Sequence, residues 1–292
     1  MFVSCKWLYS VVIMSRIHFI TFAGGYAYKQ SGMRIRKEAK RLDIFSSVKT
    51  YTPRDLPKSI TQSLLSLCPR GYGYWLWKPW IILNKLQKVN YGDIVVYTDC
   101  GCELHDNPRG WEELFAHIND VDMLAMQYRE GEIYPWGNCD ILRWTKKDCV
   151  EFFSKGIGTD WTKQPQCPSG FFVAKKTKES LKFVEHWLRI MAFRPDLVID
   201  TIGPEDNDQC DQFTEHRHDQ SIFTNLILSS GFWGGRIRVL NETIEPSQEY
   251  PNPIITASRI RKEQLPPLKT RVIWRIKSVF GEGLYKKLHF WK

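Results

Sequence analysis

The sequence predicts an α/β protein with a mostly parallel central sheet flanked by helices. Three observations carry this reading. Ile94–Tyr97 is a short apolar run rich in β-branched residues, bounded by Gly92 and Gly101. That is the pattern of a strand covered on both faces, which belongs to parallel sheets packed between helices. Similar runs at Ile17–Phe22 and Ser169–Lys175 are separated by stretches with helical spacing. Finally, 292 residues with 43% apolar and 14% aromatic content suffice for one large domain with a substantial core, and exclude a disordered chain.

Taken in order, Met1–Met14 holds an apolar run too short to span a membrane and lacks a small-residue cleavage site. Met14 is an alternative start, which would make residues 1–14 an extension. Ile17–Phe22 reads as the first strand, followed by Ala23-Gly24-Gly25 and a basic helix over Tyr28–Leu42. A strand, a glycine turn and a helix open a nucleotide-binding unit, but G-x-G-x-x-G is missing, so a dinucleotide site gains little support. Ser46–Tyr51 is expected as a second strand and Asp55–Leu67 as a helix. Pro69–Trp80 is the densest aromatic segment. Pro79 suits the first turn of a helix running to Lys88. Lys78 then stands at a helix start, where a cation gains nothing from the backbone dipole. Either an anionic partner such as phosphate explains it, or Lys78 is solvated surface and the aromatics are core.

After the central strand, Pro108–Asn119 and Thr145–Ser154 read as helices and Met123–Tyr128 as a strand. Glu179–Phe193 is amphipathic, with Leu181, Val184, Trp187, Leu188 and Met191 on one face. The polar stretch Arg194–Glu215 has the length of a lid or binding loop. His216-Arg-His-Asp-Gln220 then turns into a helix, with Asp219 at its favourable start. Two histidines, an arginine and an acid packed together are hard to explain as core; a solvated cap is the bland alternative. Arg236–Leu240 is the last expected strand, and Pro251 and Pro253 close the domain.

Asp99-Cys-Gly-Cys-Glu103 follows the carboxyl end of the central strand, the edge where open α/β sheets bind ligands. A carboxylate there is placed to hold a divalent metal, and a metal to hold a diphosphate. The eight cysteines show no C-x-x-C pair, which points to reduced thiols in a cytosolic setting. Cys100 and Cys102 share a face and read as buried.

These segments resemble the metal-dependent sugar-nucleotide transferases of the GT-A fold. The likeness is nearest to a group found in bacterial capsule and O-antigen loci and in large DNA viruses. It rests on Ile17–Phe22, the stretch 51–57, Gly73–Trp80, Gly92–Glu103, Ser169–Lys175 and His216–Phe223, in that order over residues 15–240. The resemblance implies a glycosyltransferase domain over 15–250, a nucleotide-sugar donor and Mn²⁺ or Mg²⁺ as cofactor. It further implies Asp99 and Glu103 as metal ligands, although Gly101 replaces the second acid of the D-x-D pattern; either one carboxylate with donor phosphates and waters then suffices, or another residue such as His218 completes the shell. Thr21, Phe22, Trp77, Lys78, Asp99, Gly101, Ser169, Gly170 and His218 are implied to face the donor. Asp219 and Gln220 are implied as catalytic: Asp219 as general base if configuration inverts, the pair orienting the sugar if it is retained.

The formal net charge of +9 is concentrated in a tail. From Arg259 onward ten basic residues face Glu263 and Glu282, a surplus of eight, so the body is nearly neutral. Residues 251–292 mix these cations with Trp274, Phe280, Phe290 and Trp291, as in a helix lying on an anionic membrane. No helix-turn-helix, zinc or RNP pattern favours nucleic acid. The expected setting is the inner membrane face, with a glycan, lipid-linked acceptor in surface polysaccharide synthesis. A nucleotidyltransferase on a similar sheet and a non-enzymatic basic adaptor are the rival readings.

Overall fold

The computed structural model describes residues 15–68, 70–134, 137–200, 208–245 and 252–258. The expected extension 1–14, the basic stretch 259–292, and most of the expected lid's Gly203–Asp208 lie outside them.

A six-stranded sheet forms the centre: β1 Ile17–Phe22, β2 Ser47–Tyr51, β3 Ile94–Thr98, β5 Met123–Gln127, β6 Phe171–Lys175 and β7 Ile237–Asn241, in the order β2-β1-β3-β6-β5-β7. The β1–β2, β1–β3 and β5–β7 pairs are parallel, while β6 runs antiparallel to both neighbours. A second, two-stranded sheet pairs β4 Glu103–Leu104 with β8 Ile255–Thr256, which brings residues 252–258 back onto the body.

Helices of two turns or more are α1 Tyr26–Arg41, α2 Trp77–Lys88, α3 Pro108–Ala116, α4 Lys147–Ser154, α5 Lys178–Phe193 and α6 Asp219–Ser229. Gly25 ends the β1 turn with φ 76°, a value that favours glycine, before α1 begins. Asn107 caps α3 through Gly110 N–H, with Pro108 in the first turn. Thr177 and Ser180 cap α5 reciprocally.

The period-2 alternation of β3 divides the core. Val95 and Tyr97 join Ile20, Phe172, Trp187 and Phe223 on the side of α2, α5 and α6. Ile94 and Val96 join Phe19, Trp111, Val173 and Ile255 on the side of α1 and α3. Both faces are therefore dry, which is why β3 reads as a continuous apolar run. Helix α6 is buried nearly all round, from Asp219 and Ser221 through Leu228. No helix among the described residues is long and apolar enough to cross a membrane.

The helix expected over Asp55–Leu67 is instead three short turns, Pro53–Asp55, Lys58–Thr61 and Leu64–Leu67. Pro57 lacks an N–H and disfavours helical geometry in the residue before it, so no continuous helix forms. The aromatic segment holds a second departure. Gly71, Tyr72, Gly73, Tyr74 and Trp75 all have positive φ, between 51° and 87°. The three non-glycine residues each hold a conformation costing ~1–3 kcal/mol, which surrounding packing must offset.

Candidate functional site

Four chain segments converge at the carboxyl end of β3. Asp99 follows the strand, and its N–H donates to Gly170 O at 2.8 Å. Because β6 is antiparallel, its entrance, Ser169-Gly170, arrives beside the exit of β3; Thr98 pairs with Phe171. The first turn of α2 brings Lys78, and the start of α6 brings Asp219.

Lys78 is only 1% exposed. Its Nζ lies 2.5 Å from Asp219 Oδ2, 3.0 Å from Ser169 Oγ and 3.6 Å from Asp99 Oδ1. Ser169 Oγ also donates to Asp219 Oδ2 at 2.7 Å. The solvated-surface reading of Lys78 therefore fails: its anionic partners are two carboxylates of the chain itself. Burial alone would lower the Lys78 pKa, but Asp219 and Asp99 outweigh it and hold it above the ordinary value. Burial pushes the Asp219 carboxyl up, and Lys78 and Ser169 reverse only part of this.

Asp99 Oδ1 accepts a short hydrogen bond from the Tyr97 hydroxyl. Burial and the adjacent carboxylate raise the Tyr97 pKa, so the phenol keeps its proton and donates. A Cβ at Gly170 would stand 3.2 Å from Asp99 Oδ2, so glycine gives this carboxylate its room.

His216 and His218 are each 2% exposed, which excludes the solvated-cap reading. His216 Nε2 donates to Leu197 O at 2.9 Å, while its Nδ1 accepts from Lys146 N–H. His218 Nδ1 donates to Val198 O at 2.8 Å. A carbonyl only accepts, so this contact fixes the proton on Nδ1. Among the described residues His218 Nε2 has no hydrogen-bond partner, and it lies 3.6 Å from Asp200 Oδ1. Burial lowers both histidine pKa values. The His218 ring packs against Tyr74 and stacks on Trp75, the residues delivered by the left-handed turn.

Lys78, Asp99, Gly101, Ser169, Gly170, His218, Asp219 and Gln220 all line one cavity of about 480 Å³. Thr21, Phe22, Trp77 and Glu103 are not among its lining residues. Phe22 and Trp77 stack on each other, ring centres 4.0 Å apart, and Thr21 is fully buried in β1. The lining also includes Arg70 and Trp75 from the aromatic segment, Arg217 from between the two histidines, and Trp144, Gln166 and Glu245, to which no sequence pattern points. Gln166 Oε1 accepts from Gln220 Nε2 at 2.7 Å and so positions that amide. Arg217 lies over the Trp144 ring at 4.1 Å. Trp144, Gln166 and Glu245 stand in no segment that composition or spacing marks.

The residues present do not compose a protein-built metal centre. The Glu103 carboxylate accepts from Ser258 Oγ and lies 4.0 Å from Arg34. Position 101 has no side chain to ligate, and Asp99 Oδ1 already serves Tyr97. Among the described residues no group of three or more His, Cys, Asp or Glu side chains could hold an ion. Among the described residues Asp99 Oδ2 accepts no hydrogen bond, while Oδ1 takes that of Tyr97.

No protein-family model matches the sequence, and no curated protein matches it. Several solved structures are similar. Mouse xyloside xylosyltransferase 1 aligns over 77% of this chain and 85% of its own, at 11% identity and TM-score 0.41. A glycosyltransferase involved in glycosylation of the major capsid of PBCV-1 aligns over 82% and 93%, at 12% identity and TM-score 0.42. The WbbM bifunctional glycosyltransferase aligns over 94% of this chain, which spans 52% of that one, at 11% identity and TM-score 0.45. At this level of likeness neither activity nor site residues carry over; the described sheet and cavity stand on their own.

Proposed function

We propose that this chain is a glycosyltransferase of GT-A type that moves a sugar from a nucleotide donor to a glycan acceptor. The observation that carries this reading is the Lys78–Asp219–Ser169 cluster beside Asp99, lining a 480 Å³ cavity at the carboxyl ends of parallel strands. Cleaving a sugar–diphosphate bond leaves negative charge on the departing nucleotide. A fixed ammonium such as Lys78 stabilises that charge as it develops, without reorganising. Asp219 keeps Lys78 aimed through Oδ2, while Oδ1 has no hydrogen-bond partner among the described residues and is available to a sugar or acceptor hydroxyl. Gln220, held by Gln166, orients the sugar, and the Trp75 and Trp144 rings offer apolar faces to carbohydrate.

In this reading the acceptor is a lipid-linked glycan and residues 259–292 rest on an anionic membrane, supported by the clustered cations and aromatics of that sequence. Flotation with anionic liposomes, with and without those residues, tests that part; equal flotation refutes it. For the activity, a panel of sugar nucleotides is screened for slow hydrolysis and transfer. Release of a nucleoside diphosphate supports glycosyl transfer, and release of pyrophosphate makes the chain a nucleotidyltransferase. Absence of any saturable sugar-nucleotide binding leaves the adaptor reading. The anomeric configuration of the product assigns Asp219: inversion makes Oδ1 the proton acceptor, and retention makes it an orienting group.

A further inference from the structure

The cation expected at the exit of β3 is already supplied by the chain. We infer that Lys78 takes the place of a divalent metal in this site, so that the diphosphate of the donor binds without one. The inference rests on the glycosyl-transfer reading and deepens it.

Three features carry it. The first is the ligand count. A hard divalent ion gathers about six oxygen ligands, from one or two carboxylates, substrate phosphates and water, and among the described residues the one carboxylate oxygen at the strand exit that accepts no hydrogen bond is Asp99 Oδ2. Gly101 contributes no side chain, and the Glu103 carboxylate is engaged by Ser258 and Arg34. Asp219 Oδ2 is occupied twice, by Lys78 and by Ser169. The second is like-charge repulsion. An ion bound to Asp99 would share that carboxylate with an ammonium only 3.6 Å away that its own surroundings cannot release. Lys78 is fully buried, sits in the first turn of a helix and is locked to Asp219 at 2.5 Å.

The third feature is spare donor capacity. An ammonium has three N–H groups. Two go to Asp219 Oδ2 and Ser169 Oγ. The remaining one has Asp99 Oδ1 at 3.6 Å, beyond hydrogen-bond length. Lys78 lines the cavity, so a phosphate oxygen that comes within reach of Nζ takes this third donor. Arg70 and Arg217 line the same cavity, Arg70 paired with Asp200 and Glu215 and Arg217 with Glu215, and Asp99, Asp219 and Glu245 line it too. A nucleoside diphosphate is thus met by one immobilised ammonium with a donor to spare, beside two guanidinium groups that already hold carboxylates.

The test is calorimetric titration of the full-length protein with UDP, GDP, CDP and ADP, first in excess EDTA and then in excess MnCl₂. At least one nucleotide is expected to bind, with dissociation constants in the two conditions agreeing to within about threefold. Tightening of tenfold or more by Mn²⁺ overturns the inference while leaving glycosyl transfer intact. Failure of every nucleotide to bind in either condition overturns both. The Asp99→Asn variant adds an independent arm. Removing the carboxylate that lies 3.6 Å from Nζ, and with it a negative charge beside the phosphates, is expected to tighten nucleotide binding in EDTA. A loss of tenfold or more confined to the Mn²⁺ condition would identify Asp99 as a metal anchor and end the proposal.

Discussion

Replacing Lys78 by methionine keeps most of the side-chain volume and removes the charge on which the site is built. Asp219 would then be a carboxylate that is 4% exposed, with Ser169 as its remaining partner. Removing one member of a buried ion pair typically costs ~3–5 kcal/mol, because the survivor is left desolvated and unpaired. In a domain of this size each kcal/mol moves the melting temperature by about 2–4 °C, so a drop of roughly 6–20 °C is expected. Neutralising the survivor should restore part of that loss. Lys78→Met/Asp219→Asn is expected to be more stable than the sum of the single variants predicts, by roughly 1–3 kcal/mol. Urea unfolding followed by tryptophan fluorescence and far-UV circular dichroism measures all four corners of the cycle. A Lys78→Met protein within about 1 kcal/mol of the parent, or a strictly additive cycle, would show that the ammonium and carboxylate do not meet in the folded protein.

Other perturbations probe the surroundings of that pair. Gly170→Ala should place a methyl group against Asp99 Oδ2 and lower transfer about tenfold with little change in stability; unchanged turnover in a sugar-nucleotide assay would show that Asp99 tolerates displacement. Asp93 is raised by burial, but hydrogen bonds from Asn90 N, Arg16 N and His18 outweigh this and hold it below the ordinary carboxylate value of 3.8. Its stabilisation is therefore complete above that value and is lost as pH falls through the lower folded-state pKa. Asp93→Asn should flatten the acid limb of the stability profile, and a superimposable limb would rule this out. Burial depresses His216 and His218 below the ordinary 6.5, so the unfolded chain binds protons that the folded chain refuses. Stability should decline as pH falls from about 7 to about 5, and His216→Gln should reduce that slope; an identical slope measured by denaturant midpoint would refute the assignment.

Much of the scaffold is legible because local signals and tertiary demands agree. Ile17–Phe22 occupies the expected residues, and α2 and α5 start and stop within two residues of their expected bounds. Pro79, the Gly24-Gly25 turn and the heptad-like spacing of Val184, Trp187 and Met191 are local causes with local effects. The helix expected over 55–67 is broken into short turns because Pro57 supplies no N–H and disfavours helical geometry at Leu56. The left-handed turn at 71–75 was not legible, since its tyrosines and tryptophan adopt a conformation that their own propensities oppose.

For the site, the sequence by itself determined which residue types stand at strand exits and helix starts: Asp99, Lys78, Ser169-Gly170 and Asp219-Gln220. Their position at segment ends follows from the switch between apolar and polar runs, which is a one-dimensional signal. Only the tertiary structure decided which of them touch. The antiparallel run of β6 brings Ser169 to Asp99, the packing of α2 and α6 against α5 sets Lys78 and Asp219 together across 141 positions, and the return of residues 252–258 draws Glu103 towards Ser258. Side-chain pairing over such separations depends on strand direction and helix packing, which a residue pattern does not encode locally. The same contacts place Gln166 beside Gln220 and show that Lys78 is held by carboxylates of the chain itself before any phosphate arrives.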